Sequence, residues 1–248
     1  MNVEIVLKKK VTAKKPILLE GFPGIGLVGT ITTSYIAEQR KMELIGYLKS
    51  NSFPPIAAIH EGRPMYPARI YQDLKTNMLV LFAEFVIPFE IVYDLAEAVI
   101  DFAKENAVSK IISLAGMTSI GMGDVEEGKV YGIATSSKVA EFLHKNNIKV
   151  ITEGATTGVS GVILAQSAAE KIPAMSLLAE TSQQVPDPRA ASLLVEKLND
   201  MFNLKIDTKP LLEEADKIEH RMRGIMEQSK ILDRKYKKMG GGPEVMFG

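Results

Sequence analysis

Four glutamates directly follow apolar segments that read as buried strands, a position from which carboxylates can do chemistry. They are Glu20, Glu84, Glu153 and Glu180. If these strands are parallel, their carboxyl ends meet at one edge of the sheet, where ligand sites of α/β proteins form. Carboxylates gathered there could bind a metal ion or act as general acid and base. We favour the alternative that each accepts hydrogen bonds from backbone N–H groups where the next helix begins.

A glycine-rich turn follows the first of these glutamates. Gly24, Gly26 and Gly29 have the G-x-G-x-x-G spacing of dinucleotide-binding turns, and Gly21 precedes them. A dinucleotide fold also needs an acidic residue at the end of its second strand, but residues 49–51 are Lys-Ser-Asn. The sequence contains no G-x-x-x-x-G-K-[ST] phosphate loop either. We therefore interpret the four glycines as a structural turn that packs a helix closely on the sheet, and we predict no cofactor.

Other catalytic groups are not indicated. The chain has three histidines, none in a pattern that marks a catalytic site, and it has no cysteine, which excludes disulfides and thiolate metal sites. Ser160 is one glycine displaced from a G-x-S-x-G nucleophile elbow. We predict no bound metal. The absence of cysteine agrees with a reducing cytoplasm, where we expect the protein to be located.

Charge and hydropathy restrict the partners. Lys and Arg total 30 and Asp and Glu total 30, so the formal net charge is zero. This balance argues against nucleic acid as the main partner, since neutralisation of phosphates dominates that binding. No uncharged apolar run reaches the roughly 20 residues that a membrane helix needs. Protein partners and small ligands remain open.

The elements that must position the glutamates alternate between strands and helices. This order predicts an α/β fold: a three-layer, doubly wound, mostly parallel sheet with helices on both faces, formed by residues 1–203. An antiparallel excursion is expected over 56–72. We predict strands at 3–7, 16–20, 43–48, 78–83, 110–115, 130–135, 148–152 and 174–179, and helices at 27–40, 89–105, 136–145, 162–171 and 186–201. The helix over 89–105 should bury one face, formed by Phe89, Val92, Ala96, Val99 and Ala103.

Residues 204–239 have a different character, that of a charged helical extension with one apolar seam. The seam advances in steps of four and three, as heptads do, which slightly favours self-association over packing of the helix on its own domain. Its members are Leu211, Ala215, Ile218, Met222, Ile225, Leu232 and Tyr236. Residues 240–248 contain four glycines, three of them consecutive, and a proline, and predict a flexible tail with an apolar tip.

Four separated stretches resemble the proteasome assembly chaperone family, and more narrowly its archaeal homologues. They are Gly21-Phe22-Pro23-Gly24-Ile25-Gly26, the region 116–132, Gly158-Val159-Ser160-Gly161 and Pro186-Asp187-Pro188. The resemblance covers about residues 1–203. It implies an α/β domain similar to that of nucleoside phosphorylases, without an established enzymatic activity.

The resemblance also implies a function. Members of this family bind proteasome α subunits as ATP-independent, oligomeric chaperones, so we expect the α ring and a homo-oligomer, possibly a tetramer, as partners. Some relatives end in a hydrophobic–tyrosine–any-residue motif that inserts between adjacent α subunits. Met246, Phe247 and Gly248 occupy these positions, with phenylalanine in place of tyrosine. The alternatives are a nucleoside phosphorylase- or nucleosidase-like enzyme at the glutamate edge, and a purely structural self-assembling protein.

Overall fold

The computed structural model describes residues 3–118, 129–181 and 186–240. The strands are β1 (Glu4–Leu7), β2 (Ile17–Gly21), β3 (Glu43–Lys49), β4 (Ala58–His60), β5 (Arg63–Met65), β6 (Ala68–Asp73), β7 (Met78–Ala83), β8 (Lys110–Met117), β9 (Val130–Ala134), β10 (Lys149–Val150) and β11 (Ala174–Glu180). The helices are α1 (Val28–Gln39), α2 (Val92–Glu105), α3 (Ser137–Lys145), α4 (Gly158–Ala169), α5 (Pro188–Phe202), α6 (Lys209–Glu213) and α7 (Ala215–Gly240). Short 3-10 turns, Ile25–Leu27 and Phe89–Ile91, lead into α1 and α2.

The main sheet is mixed, with the order β1-β3-β6-β7-β2-β8-β11-β9-β10. Its central strands β7, β2, β8 and β11 run parallel, as predicted. The pairs β1–β3, β3–β6, β6–β7 and β11–β9 are antiparallel. Strands β4 and β5 form a separate hairpin within the predicted excursion. The predicted α/β class is therefore confirmed. Of the four antiparallel pairs, β6 and β7 are sequential neighbours joined by a short connection, which an antiparallel pair permits.

Helices cover both faces of the sheet and divide the core in two. Helices α1, α3 and α5 pack on one face, around buried side chains such as Phe82 and Leu114. Helices α2 and α4 pack on the opposite face, around Leu18 and Leu81. The central strands are apolar on both sides because both sides are covered, which confirms the three-layer arrangement.

Close contact between α1 and the sheet depends on two glycines. A Cβ atom at Gly29, in the first turn of α1, would lie 2.0 Å from the carbonyl oxygen of Leu114 in β8. A Cβ atom at Gly21 would lie 2.3 Å from the carbonyl oxygen of Gly29. The Thr30 hydroxyl donates to the Gly21 carbonyl oxygen at 3.1 Å and adds a polar contact at the same place. These contacts support the interpretation of the turn as structural.

The linker after α5 is held by side chains of α1 and α5. The Tyr35 hydroxyl donates to the Asp207 carbonyl oxygen at 2.7 Å, and the Arg40 guanidinium donates to the Leu204 carbonyl oxygen at 3.2 Å. The Asn199 amide donates to the Ile206 carbonyl oxygen at 2.8 Å and accepts from the Ile206 N–H at 3.0 Å. These bonds direct the chain back onto α1 before α6 begins.

The apolar seam of the extension lies against its own domain. Leu211 in α6 and Met222 in α7 are buried, at 0% and 1% exposure, in the core that α1 and α5 share. Of the other predicted members, Ile218 packs on the same core, and Ala215, Ile225 and Leu232 are half-buried. The structure therefore shows packing of the helix on its own domain, the alternative that the heptad spacing favoured less. The side chain of Tyr236 lies outside the described residues.

The predicted buried face of α2 is correct except at its first member. Val92, Ala96, Val99 and Ala103 are buried, whereas Phe89 is 88% exposed. Phe89 belongs to the 3-10 turn, which has three residues per turn and does not continue the angular phase of the α-helix. The prediction that Phe89 packs in the core is therefore wrong.

Some predictions concern residues that the structure does not describe. The region 116–132, which carries part of the family resemblance, begins within β8, which extends to Met117. Residues 119–128 of that region lie outside the described residues, and so do Met246, Phe247 and Gly248.

The contact between α1 and β8 predicts a specific loss of stability. Gly29→Ala should destabilise the protein by about 2 kcal/mol or more, because the new methyl group forces α1 away from the Leu114 carbonyl. Gly24→Ala is the matched control. A Cβ atom at Gly24 meets nothing within 4 Å, so its effect should stay within about 0.5 kcal/mol. Urea unfolding measures both, and equal stabilities of the two variants would contradict this account of the turn.

Candidate functional site

The two central glutamates of the predicted edge lie on opposite faces of the sheet. Glu20 in β2 pairs in register with Leu81 in β7, and paired residues of adjacent strands share a face. Glu84 lies three residues after Leu81, so its side chain points to the other face. The hydrogen-bond partners agree, because Glu20 contacts Ser160 of α4 whereas Glu84 contacts His60 of β4.

Glu20 is a buried carboxyl group with local hydrogen-bond donors. Its Oε1 accepts from the Phe22 N–H at 3.1 Å and from the Ser160 hydroxyl at 2.9 Å. Its side chain is 0% exposed. Burial raises the pKa of Glu20 above its ordinary value, and the hydrogen bonds from the Phe22 N–H and the Ser160 hydroxyl offset this only in part. Through the bond from Ser160, Glu20 forms a structural link between β2 and α4.

Glu84 is a buried carboxylate that is held charged. Its Oε2 lies 2.9 Å from Arg69 Nη2 and 3.0 Å from His60 Nε2. Burial by itself would raise the pKa of Glu84, but the hydrogen bond from His60 and the charge of Arg69 outweigh it and hold the pKa below its ordinary value. Because a charged carboxylate can only accept hydrogen bonds, we assign the donor role in this contact to His60 Nε2. This group joins the β4–β5 hairpin to the main sheet.

The other two predicted glutamates lie away from this pair. Ser176 in β11 pairs in register with Ser113 in β8, and Ser113 pairs in register with Glu20. Glu180 lies four residues after Ser176, so its side chain is on the same face of the sheet as Glu20. It is about 13 Å further along the strand than Ser176. Its Oε2 is buried and has no hydrogen-bond partner in the described part of the chain.

Glu153 does not belong to this edge. It follows β10, which runs parallel to β9, and β9 is antiparallel to β11. The carboxyl end of β10 therefore points to the opposite edge of the sheet, where Glu153 is exposed. The prediction that all four carboxylates meet is wrong at this position, because strand direction depends on pairing that the local sequence does not encode.

The glutamates consequently do not form one catalytic or metal-binding site. Among the residues that the structure describes, no group of three His, Asp or Glu side chains is arranged to bind a metal ion. The preferred alternative, acceptance of backbone N–H groups, holds for Glu20 at Phe22. Glu84 instead bonds to side chains, an arrangement that sequence reasoning missed because Arg69 and His60 belong to the antiparallel excursion.

Two of the sequence motifs meet at the carboxyl edge through Asp187. Its Oδ1 accepts from the Ala190 N–H at 3.0 Å, which caps α5. Its Oδ2 accepts from the Thr181 hydroxyl at 2.6 Å, and its own N–H donates to the Gly26 carbonyl oxygen at 2.8 Å. Asp187 thus ties the end of β11, the start of α5 and the glycine turn together. A Pro-Asp-Pro triplet before a helix is a recognisable capping signal.

The same edge exposes apolar side chains. Phe89 and Tyr93 are 88% and 70% exposed, and Ile25 and Val86, in the loops after β2 and β7, are 43% and 40% exposed. Exposed apolar groups of this kind mark interaction surfaces more often than catalytic pockets. The sequence carries a signal for Tyr93 that was missed, since Tyr93 lies four residues before Glu97 and shares the exposed face of α2 with it.

Fold and surface together define an α/β domain that presents apolar and aromatic side chains at the carboxyl edge of its sheet. Residues 18–226 match the model of the PAC2 family. The chain belongs to this family, which confirms the resemblance found in the sequence.

Individual relatives extend this result. An uncharacterised protein of Methanocaldococcus jannaschii is 33% identical over 228 residues, which are 92% of each chain. The crystal structure of Pyrococcus furiosus PbaA, an archaeal homologue of proteasome-assembly chaperone, is 36% identical, with a TM-score of 0.82 over 92% of this chain and 98% of that one. Pyrococcus furiosus PbaB, an archaeal proteasome activator, shares the fold at 22% identity, with a TM-score of 0.73 over 90% of this chain and 98% of its own.

Among the helices described here, none is long and apolar enough to cross a membrane.

Substitution of the two buried glutamates should destabilise the protein to different extents. Glu84→Gln should destabilise the protein by about 3 kcal/mol at neutral pH, because it leaves the buried Arg69 guanidinium without its counter-charge. Glu20→Gln should cost less than about 1 kcal/mol, because an amide oxygen still accepts from the Phe22 N–H. Chemical denaturation of both variants measures their free energies of unfolding. A larger loss of stability for Glu20→Gln than for Glu84→Gln would contradict the assignment of a charged carboxylate to Glu84.

The pH dependence has a definite sign at each glutamate. A lowered pKa at Glu84 contributes stability that is present above its unfolded value, near 4.5, and is lost as the pH falls through the folded value. A raised pKa at Glu20 contributes stability that is lost as the pH rises through the folded value. The stability that Glu84→Gln loses relative to the parent protein should therefore become smaller in acid. The stability of Glu20→Gln relative to the parent protein should increase as the pH rises. Unfolding curves from pH 3 to 9 test both signs.

Proposed function

We propose that this protein is a non-enzymatic, ATP-independent chaperone or adaptor that binds proteasome α subunits in the cytoplasm. The observation that carries the proposal is the similarity to Pyrococcus furiosus PbaA, an archaeal homologue of proteasome-assembly chaperone, over nearly the whole of both chains. The dispersed carboxylates support the non-enzymatic part, since Glu20 and Glu84 are on opposite faces and each is satisfied by its own partners.

The C-terminal tripeptide is the proposed contact with the α ring. Met246, Phe247 and Gly248 supply an apolar side chain, an aromatic side chain and a free carboxylate. A small pocket that holds the ring and a lysine or a backbone nest that takes the carboxylate would bind such an end. The preceding helix α7 is attached to the domain through Met222 and ends at Gly240.

Self-association would strengthen this weak contact. A single short tail must be ordered when it binds, which reduces its affinity. Several tails on one oligomer, possibly a tetramer, bind one ring at high effective concentration and can raise the overall affinity by about 10²-fold or more. Because the seam of α7 is buried on its own domain, the exposed pair Phe89 and Tyr93 is a better candidate for the contact between copies.

Removal of the tripeptide should abolish binding to the α ring. A chain that ends at Val245 should show at least about a tenfold weaker affinity for isolated α rings, because the aromatic anchor and the carboxylate are both displaced. Affinity is measured by surface plasmon resonance without nucleotide, and unchanged unfolding curves show that the shortened chain is folded. Equal affinity of the shortened and the full chain would refute the role of the tail.

Two point variants refine this test. Phe247→Ala should weaken binding nearly as much as the deletion, since the ring supplies most of the buried apolar area. Phe247→Tyr should bind more tightly than the parent chain if the pocket offers a partner for the hydroxyl. If the Phe247→Ala variant and the parent chain bind α rings with equal affinity in a titration, Phe247 is not an aromatic anchor, whatever the affinity of Phe247→Tyr.

A further inference from the structure

A cavity lies between the β4–β5 hairpin, the second half of α1 and the main sheet. Its volume is about 590 Å³, within the roughly 300–1,000 Å³ range of ligand pockets. The Glu84 carboxylate and its two partners, Arg69 and His60, line the cavity, and so does Arg221 of α7. Charged groups from several elements of the fold therefore meet at one enclosed space.

The cavity also has apolar surface, much of it aromatic. The rings of Tyr71 and Phe82 are stacked with their centroids 5.7 Å apart, and both residues line the cavity. Met42 and Met65 line it as well. Flat rings offer a large apolar contact area, and methionine side chains adapt to the shape of what they contact. This surface can therefore hold an apolar side chain of a ligand.

One buried hydrogen-bond donor at the cavity has no acceptor. Arg69 is 2% exposed. Its Nη1 donates to the Tyr66 carbonyl oxygen at 2.9 Å, and its Nη2 lies 2.9 Å from Glu84 Oε2. Its Nε is buried and has no hydrogen-bond partner within the described residues. A buried donor without an acceptor is unfavourable, and a carboxylate is the strongest acceptor that a ligand can bring to a guanidinium group.

Exposed charges of both signs line the same cavity. The cations are Lys41 and Arg221, and the carboxylates are Glu38 and Glu61. None of these four makes an ion pair within the part of the chain that the structure describes. Because the charges of the buried pair cancel each other, the charges that line the cavity sum to zero when the histidine is neutral. A ligand with one charge of each sign suits this balance better than a simple anion or cation does.

We propose that this cavity binds a free α-amino acid with an apolar side chain. The carboxylate of the ligand accepts the hydrogen bond that Arg69 Nε leaves unused. Its ammonium group is attracted by the carboxylates of Glu38 and Glu61, and its side chain packs on the rings of Tyr71 and Phe82. Binding of this kind involves no chemical step and does not depend on any contact with the proteasome.

A titration of the full chain with L-phenylalanine tests the proposal. In NMR spectra of ¹³C-labelled methionine methyl groups, the signals of Met42 and Met65 should shift with a dissociation constant of about 1 mM or lower, which is within reach of so small a ligand. Met175 is the control, because it is buried in the core and does not line the cavity. Its signal should stay in place. No saturable shift at about 10 mM ligand, a tenfold excess over that constant, overturns the proposal.

Two analogues separate the contributions of the charged ends of the ligand. L-Phenylalaninamide has no carboxylate and should bind at least about tenfold more weakly, because Arg69 Nε then meets a neutral acceptor. N-Acetyl-L-phenylalanine has no ammonium group and should bind at least about threefold more weakly. If the amide binds as tightly as phenylalanine, the contact with Arg69 is refuted. If the acetylated compound binds as tightly, the ligand is a simple carboxylic acid and the proposal of an amino acid is wrong.

A variant of the two exposed carboxylates tests the ammonium contact from the side of the protein. Glu38→Gln with Glu61→Gln should bind L-phenylalanine and its N-acetyl derivative with equal affinity, because the groups that distinguish them are gone. Both residues are exposed, so the variant should fold. Glu213→Gln with Glu227→Gln is the matched control, since these residues are exposed and do not line the cavity. It should keep the preference of the parent chain for the free amine. A preference that persists in the Glu38–Glu61 variant overturns the assigned contact.

Discussion

The approach of α1 to the sheet is the constraint on which the carboxyl edge depends. Gly29 lets the first turn of the helix rest on the Leu114 carbonyl of β8, and Gly21 lets β2 pass beneath it. Asp187 then bonds to the turn at Gly26 while it caps α5. The glycine turn, the end of β11 and the start of α5 consequently form one unit. Within the G-x-G-x-x-G spacing, packing accounts for Gly29, and a positive φ of 62° accounts for Gly26.

The two buried glutamates show how one residue type serves two roles according to its surroundings. Glu20 meets only neutral donors, so burial dominates and raises its pKa. Glu84 meets Arg69 and His60, so its charge is stabilised in an equally buried place. In a shared pocket, such a difference in pKa would suit acid and base catalysis. Here the sheet separates the two groups, and each instead fixes a neighbouring element, α4 in one case and the β4–β5 hairpin in the other.

The position of α7 links the fold to its proposed activity. Met222 and Met226 attach the helix along α1 and past the glycine turn. The proposed α-ring contact lies in the residues that follow this helix in the sequence. The exposed aromatic pair at the start of α2 is a separate surface on the same edge, available for contact between copies of the chain.

The sequence by itself determined the α/β class, most helices and strands, the family and the structural nature of the glycine turn. These properties follow from local features of the sequence, namely the period of the apolar residues, the continuous apolar runs and the turn-forming residues. Only the tertiary structure decided that β10 runs against the central strands, which removes Glu153 from the edge, and that Glu84 pairs with Arg69. It also decided that the seam from Leu211 to Leu232 packs on its own domain. Strand direction and the burial of an amphipathic helix depend on contacts between residues distant in the chain, and a heptad seam has the same spacing whichever surface covers it.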